Sequence, residues 1–220
     1  MDQQIGQAIE WETMAPSWSR TAADYVRYRL GFPRSMYARL QDCGVGLAGQ
    51  RILDIGTGTG TIARTLAAAG AIVTAIDRDA GMLAAGQELA EASGLNIRWS
   101  VATAEALPFE DDSFDAVLAG QCWHWFQRET AAQQVWRVLK PGGAVAICHY
   151  DWIPVLGNVV DLTEKLIQAH NPNWTAAGGY GIYPRWFRDL DAAGFDSVAS
   201  FAYDEPGPYS HEAWRGRIRA

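Results

Sequence analysis

The 220-residue chain is long enough for one domain with a substantial core, and 49% hydrophobic with 20% charged residues marks a globular rather than a disordered protein. Its net charge of −7 excludes a general coat for DNA or RNA, which needs a basic surface facing phosphates, although a local basic pocket remains compatible. The three cysteines, Cys43, Cys122 and Cys148, are too few and too scattered for a disulfide framework or a zinc site, so no metal is expected and a reducing, cytoplasmic setting is the simplest reading.

In chain order, "MDQQIGQAIEWETM" is acidic and lacks the basic start and apolar stretch of a signal peptide. No apolar run approaches the ~20 residues of a membrane span. Residues 17–42 read as helical, with Ser19 or Thr21 as a cap and a second helix beginning after Pro33. "RILDIG" is almost continuously apolar, as a parallel strand buried on both faces would be. "TIARTLAAAG" is a helix closed by Gly70, and "AIVTAID" is a second buried strand ending in Asp77. "AGMLAAGQELAEASG" is a helix, "NIRWSVA" a third strand and "SFDAVLAGQ" a fourth. The helix through "TAAQQVWRVLK" is broken by "PGG", and "AVAICHY" is a fifth strand. Strand and helix thus alternate for about 100 residues with short connections, which predicts a parallel sheet with right-handed crossovers. Residues 151–190, rich in Gly, Pro, Asn and aromatics, interrupt that rhythm as an insertion. It resumes with a helix over "PRWFRDLDAAGF" and a sixth strand over "DSVASFAYD".

The stretch "ILDIGTGTG" ends a strand in three alternating glycines, Gly56, Gly58 and Gly60. Such a turn lets a ligand approach the main chain without meeting a Cβ, and the helix after it aims free N–H groups at the same space. A phosphate-cradling nucleotide loop would need a Gly-Lys-Ser/Thr ending, which is missing. The dinucleotide pattern needs a third glycine where Thr61 stands. Asp77, at the end of the next strand, suits the two hydroxyls of a ribose or a cap on the following helix. Asp54 beside the loop would repel a pyrophosphate and favour a cation; equally, it suits a buried acid tied to the amides of the turn.

In "ILDIGTGTG", "AIDRDAGML", "VATAEALPFEDDSFDAVLAGQCWHWF" and "RVLKPGG", the chain resembles the class I S-adenosylmethionine-dependent methyltransferases, especially the small bacterial group related to the ubiquinone- and menaquinone-type C-methyltransferases. The resemblance spans about residues 25–150. It implies an α/β, Rossmann-like, doubly wound and mostly parallel sheet flanked by helices. The expected single domain covers residues 1–220: an N-terminal helical cap (1–45), a cofactor-binding core (46–150), a substrate-side insertion between strands 5 and 6 (151–190) and an incomplete C-terminal part (191–220). It implies S-adenosyl-L-methionine as cofactor and S-adenosyl-L-homocysteine as product. Gly56 and Gly58 would lie along the methionine portion, with Asp54 and Thr57 also among the cofactor-binding residues. Asp77 would hold the ribose, Arg78 and Met82 would flank the adenine, and Ala104 and Glu105 would meet its edge. Gln121 would stand beside the reactive centre, and Arg29, on a helix that commonly crosses the cofactor in this family, would bind its carboxylate or else point into solvent. Where the family often has an acid before the Ala-Glu pair, this chain has Thr103.

Methyl transfer needs a base where the acceptor carries a proton. His124, in "GQCWHWF", is the candidate catalytic base or else a histidine that packs and hydrogen-bonds structurally; Trp123 and Trp125 beside it are apolar walls of the site or core. His149, Tyr150 and Asp151 in "CHYDW" are alternative acid–base or substrate-binding groups, or equally a loop group that caps the insertion. Trp174, Tyr180 and Tyr183 line a substrate pocket or pack the insertion. The family's sheet normally has a seventh, antiparallel strand, and "SHEAWRGRIRA" reads as the start of a helix with no strand after it. The expectation is a chain lacking its last strand, or one that completes its sheet as a homodimer. A methyltransferase acting on a small-molecule acceptor, with no nucleic-acid partner, is the leading function. A non-catalytic nucleoside-cofactor-binding protein and a NAD-type oxidoreductase are the alternatives.

Overall fold

The structure, a computed structural model, describes residues 26–174 and 177–219. The expected helix over 17–25, with Ser19, Thr21 and Tyr25, lies outside the described residues. The helix after Pro33 forms as α1, Arg34–Asp42. The alternating part follows: β1 Arg51–Ile55, α2 Thr61–Ala68, β2 Ile72–Asp77, α3 Ala80–Ala92, β3 Ile97–Val101, β4 Phe114–Gly120, α4 Arg128–Val138 and β5 Leu139–Cys148. A 3-10 turn, Trp123–Trp125, links β4 to α4. The insertion holds α5 Val159–His170, and α6 Arg185–Ala193 and α7 His211–Arg219 complete the described chain.

The sheet is parallel throughout, in the order β3-β2-β1-β4-β5. The expected doubly wound α/β fold is borne out. Period-2 alternation explains how so apolar a sheet is covered. Ile52, Val73, Ala75, Ala116 and Leu118 face one core with α1 and α2. Leu53, Ile55, Ile76, Val117 and Ala119 face the other with α4 and Leu190 of α6. The chain winds outward from β1 to β3, then returns to place β4 on the other flank of β1. Strand order therefore reverses between β1 and β4, and a crevice opens beyond their carboxyl ends.

Two local expectations need correction. "PGG" does not end α4: the helix stops at Val138, and "PGG" lies inside the fifth strand. β5 begins at Leu139, opposite Phe114, and the next pair is Ala116 with Ala144, so Asp115 alone faces the bulged run Lys140–Gly143. The sixth strand does not form: among the described residues the sheet has five, and 196–204 belong to no element. Ser197 sits at φ +54, the left-handed region, which takes the chain off an extended course as the segment begins. Val198 and Phe201 stay exposed. The segment runs beside the outer edge of β5 across a cavity of about 1100 Å³, whose lining includes Val145, Ile147, Val198 and Phe201. Among the described residues no helix is long and apolar enough to cross a membrane, and no group of His, Cys, Asp and Glu could hold a metal ion.

Candidate active site

The crevice is built first by the turn after β1. Gly56, Gly58 and Gly60 all adopt left-handed φ, of 62°, 57° and 75°. Their bare faces serve different neighbours. A Cβ on Gly56 would lie 2.8 Å from Cβ of Cys122, and one on Gly60 would lie 2.4 Å from the Trp99 indole. These two glycines admit protein. Only Gly58 has an open face, where a Cβ would first meet Met82 Cε at 3.4 Å. The place where a ligand can approach the main chain is therefore Gly58.

Asp77 stands at that place. Its Oδ2 accepts the Gly58 N–H at 2.8 Å and its Oδ1 the Asp79 N–H at 2.9 Å. A carboxylate has about four lone-pair sites, so capacity for two hydroxyl donors remains. Burial raises its pKa, while the two amides oppose the shift. The helix cap considered for Asp77 is supplied by Asp79, whose Oδ1 accepts from the N–H groups of Gly81 and Met82 at the start of α3. Met82 is buried beside Gly58 and Ala104 is buried in the core on the α4 face of the sheet, whereas Arg78 is exposed. Glu105 is turned to structure: its Oε1 accepts the Gln127 N–H at 2.9 Å, where α4 begins.

Asp54 is a buried acid of the turn, only 2% exposed. Its Oδ2 accepts the Thr57 hydroxyl at 2.6 Å and the Ala63 N–H at 3.2 Å. Burial pushes its carboxyl up to about 7, against the pull of those two donors. Thr57 is thus occupied with the turn as well. The structure gives Asp54 and Thr57 the shape of the loop to hold, and the electrostatic argument for a cationic ligand rests less on Asp54 than the sequence implies.

At the end of β4, Gln121 has φ +60, an uncommon backbone for a non-glycine residue. Its N–H donates to the Cys148 carbonyl and its Nε2 to the Tyr150 carbonyl at 2.6 Å. The side chain thereby ties β4 to the loop after β5. Trp123 and Trp125 divide: Trp123 is fully buried, its Nε1 donating to Asp189 Oδ2, while Trp125 is 41% exposed. Trp123 is core, and Trp125 stands at the rim. His124 lies between Trp125 and His149, with ring centroids at 4.8 and 5.4 Å. Burial of its ring, then the neighbouring His149, pushes its pKa down to about 4, against the pull of Asp151. Arg29 is half-buried in the short described stretch before α1.

The chain also builds a cluster from residues distant in sequence. His149 Nδ1 lies 3.3 Å from Asp151 Oδ1, and the Tyr183 hydroxyl donates to Asp151 Oδ2. Tyr183 stacks on Trp186 with centroids 4.0 Å apart, and His149 packs on both. The sequence singles out His149, Asp151 and Tyr183 separately. Trp186 and Asp189 carry no signal beyond lying on an amphipathic helix. Tyr180 is exposed, and Tyr150 points away, its hydroxyl donating to the carbonyls of Glu205 and Pro206.

Residues 53–147 match the family model described as a methyltransferase domain. An uncharacterized methyltransferase of Mycobacterium tuberculosis (strain ATCC 25618 / H37Rv) is 30% identical over 181 residues, covering 74% of this chain and 71% of that protein. The demethylmenaquinone methyltransferase of Thermus thermophilus is 41% identical over 115 residues, which is 51% of this chain and 52% of that protein. Among solved structures, the YcgJ protein of Bacillus subtilis is similar with a TM-score of 0.61 and 24% identity, covering 83% of this chain and 77% of that one. That last likeness speaks to the fold.

Proposed function

Because the chain belongs to the class I S-adenosylmethionine-dependent methyltransferases, we propose that it transfers a methyl group to a small-molecule acceptor by in-line displacement in the crevice between β1 and β4. The observation that carries the assignment of the site is the open face of Gly58 beside an Asp77 that retains acceptor capacity. Family membership sets aside the oxidoreductase reading.

The residues present fit the cofactor. Asp77 can receive ribose hydroxyls on its remaining lone pairs. Met82 and Ala104 offer an apolar seat for a flat base, which exposed Arg78 flanks from the solvent side. The main chain at Gly58 admits the amino-acid portion, with Arg29 as partner for a carboxylate. S-adenosyl-L-methionine supplies, when bound, an electrophilic methyl group carried on a sulfonium. The chain contributes alignment and exclusion of water. Gln121 fixes the ends of β4 and β5 relative to each other, and Trp125 and Tyr183 present aromatic faces toward a flat or cationic acceptor. The likeness to demethylmenaquinone methyltransferases over about half their length supports an aromatic acceptor as the first class to try.

Calorimetric titration tests the reading. S-adenosylhomocysteine is expected to bind in the micromolar range and NADH not at all. Asp77→Ala is expected to weaken that binding at least ~100-fold, about 2.7 kcal/mol, the scale of two hydrogen bonds to a charged group. Binding of NADH, or unchanged affinity in the folded variant, overturns it.

A further inference from the structure

We infer that His149, rather than His124, receives the proton of the methyl acceptor, with Asp151 and Tyr183 as positioning residues that leave its Nε2 a bare lone pair. This rests on the methyl-transfer reading and assigns the acceptor to the class that loses a proton from oxygen, nitrogen, sulfur or an acidic carbon.

The tautomer follows from the partners. An ionised carboxylate only accepts, so the ring nitrogen facing Asp151 Oδ1, Nδ1, carries the hydrogen, and Nε2 of the neutral ring is an acceptor. The His149 side chain is 8% exposed, and among the described residues no atom pairs with its buried Nε2. Leaving such an acceptor unmet costs folding stability, because its hydration is lost with no bond in return. A fold that only packed a histidine here would give that nitrogen a donor. A site that takes a proton from a ligand would not.

The surroundings suit the charge that would result. Burial raises the Asp151 carboxyl, but the hydrogen bonds from His149 and Tyr183 outweigh it and hold it below the ordinary carboxylate range. It is therefore ionised beside any imidazolium formed on His149. The titratable groups facing His149 are His124 from the turn after β4, Asp151 from the loop after β5 and Tyr183 from the approach to α6. Tyr183 is pushed up by burial and by its bond to Asp151, so it keeps its hydrogen and remains a donor. His124, with its pKa near 4, is a weak base at neutral pH; its neutral ring supplies a wall.

The step balances. The proton of the acceptor's X–H bond goes to His149 Nε2, and the pair left on X forms the bond to the methyl carbon. The methyl–sulfur bond breaks with its pair staying on sulfur, turning sulfonium into thioether. The imidazolium then returns its proton to water.

The test is long-range nitrogen–proton correlation NMR of the histidine rings, run beside S-adenosylhomocysteine calorimetry, with catechol as an X–H probe. His149 is expected to show hydrogen on Nδ1 and a bare Nε2, and catechol added to the S-adenosylhomocysteine complex should shift the Nε2 signal upfield, as a hydrogen bond to a bare nitrogen does. Asp151→Asn should mix the tautomers while changing S-adenosylhomocysteine affinity by less than about two-fold, a difference of about 0.4 kcal/mol. His124→Gln should keep the catechol response at His149. Hydrogen on Nε2, or an Nε2 signal indifferent to catechol while S-adenosylhomocysteine binds, overturns the inference and leaves methyl transfer standing. Failure of S-adenosylhomocysteine to bind overturns the methyl-transfer reading itself.

Discussion

The indole of Trp99, on β3, fills the space that a side chain on Gly60 would need: a Cβ there would lie 2.4 Å from Trp99 Cη2. Gly86 of α3 leaves room for the same ring, with its own Cβ position 2.9 Å away. The third glycine of the turn is therefore a packing residue. It lets β3, the turn after β1 and α3 close over one tryptophan, and so fixes the floor of the crevice from below.

Gly60→Ala consequently meets two penalties, a left-handed φ of 75° and a clash with a rigid ring. The expected loss is about 2–4 kcal/mol of folding stability by denaturant titration. Trp99→Leu in the same background should recover part of it, because the two changes share one cause and will not add. A Gly60→Ala protein as stable as the wild type would show that the turn is slack.

Asp189 joins three elements. Its Oδ2 accepts from Trp123 Nε1 at 3.3 Å and from Arg128 Nε at 2.9 Å, linking α6 to the turn after β4 and to α4. Arg128 is exposed enough to rehydrate when this partner is removed, but Trp123 is fully buried and would keep an unpaired N–H. Asp189→Ala is expected to cost about 1–3 kcal/mol. Loosened α6 should carry Tyr183 and Trp186 with it, so amide exchange across 183–195 should speed up in the variant while exchange in β1 and β2 does not. Uniform acceleration across the sheet would mean that α6 is not a separate docking unit.

The cofactor half of the crevice is legible in the sequence because it is local. Glycine spacing, an acid ending β2 and a helix directly after the turn are all read along one strand–turn–helix unit. The division of labour within it is not legible, since Gly60 is glycine for the sake of Trp99, which comes from another strand. The acceptor half is harder for the same reason: His149 and Tyr183 meet only because α6 docks on α4 through Asp189. Residues 197–203 have the composition of a strand, but strand formation needs a neighbour within pairing distance, and Ser197 turns the segment across a cavity from β5. Trp125 illustrates the limit of hydrophobicity as a guide, since its neighbour Trp123 takes the core position and Trp125 faces outward.

Asp54 offers a test of whether the turn holds a charge. Its carboxyl is pushed up to about 7 from an ordinary 3.8, with burial as the first cause. Below the ordinary value both folded and unfolded states hold the proton. As pH rises from there the unfolded chain gives it up first, so the folded state binds more protons and stability falls with rising pH until the folded carboxyl also ionises, near 7. Asp77, also raised by burial, acts in the same direction, whereas Asp115 and Asp151 act oppositely, so the wild-type curve alone does not isolate Asp54. The difference between wild type and Asp54→Asn does, because the amide oxygen can still accept from Thr57 and Ala63 without titrating. The variant is expected to gain on the wild type by about 2 kcal/mol as pH rises from about 5 to about 8, read by urea unfolding at each pH. A difference that stays flat would mean an ionised Asp54 throughout, held by the Thr57 hydroxyl and the start of α2. The turn would then present the negative charge that a sulfonium-bearing cofactor could use.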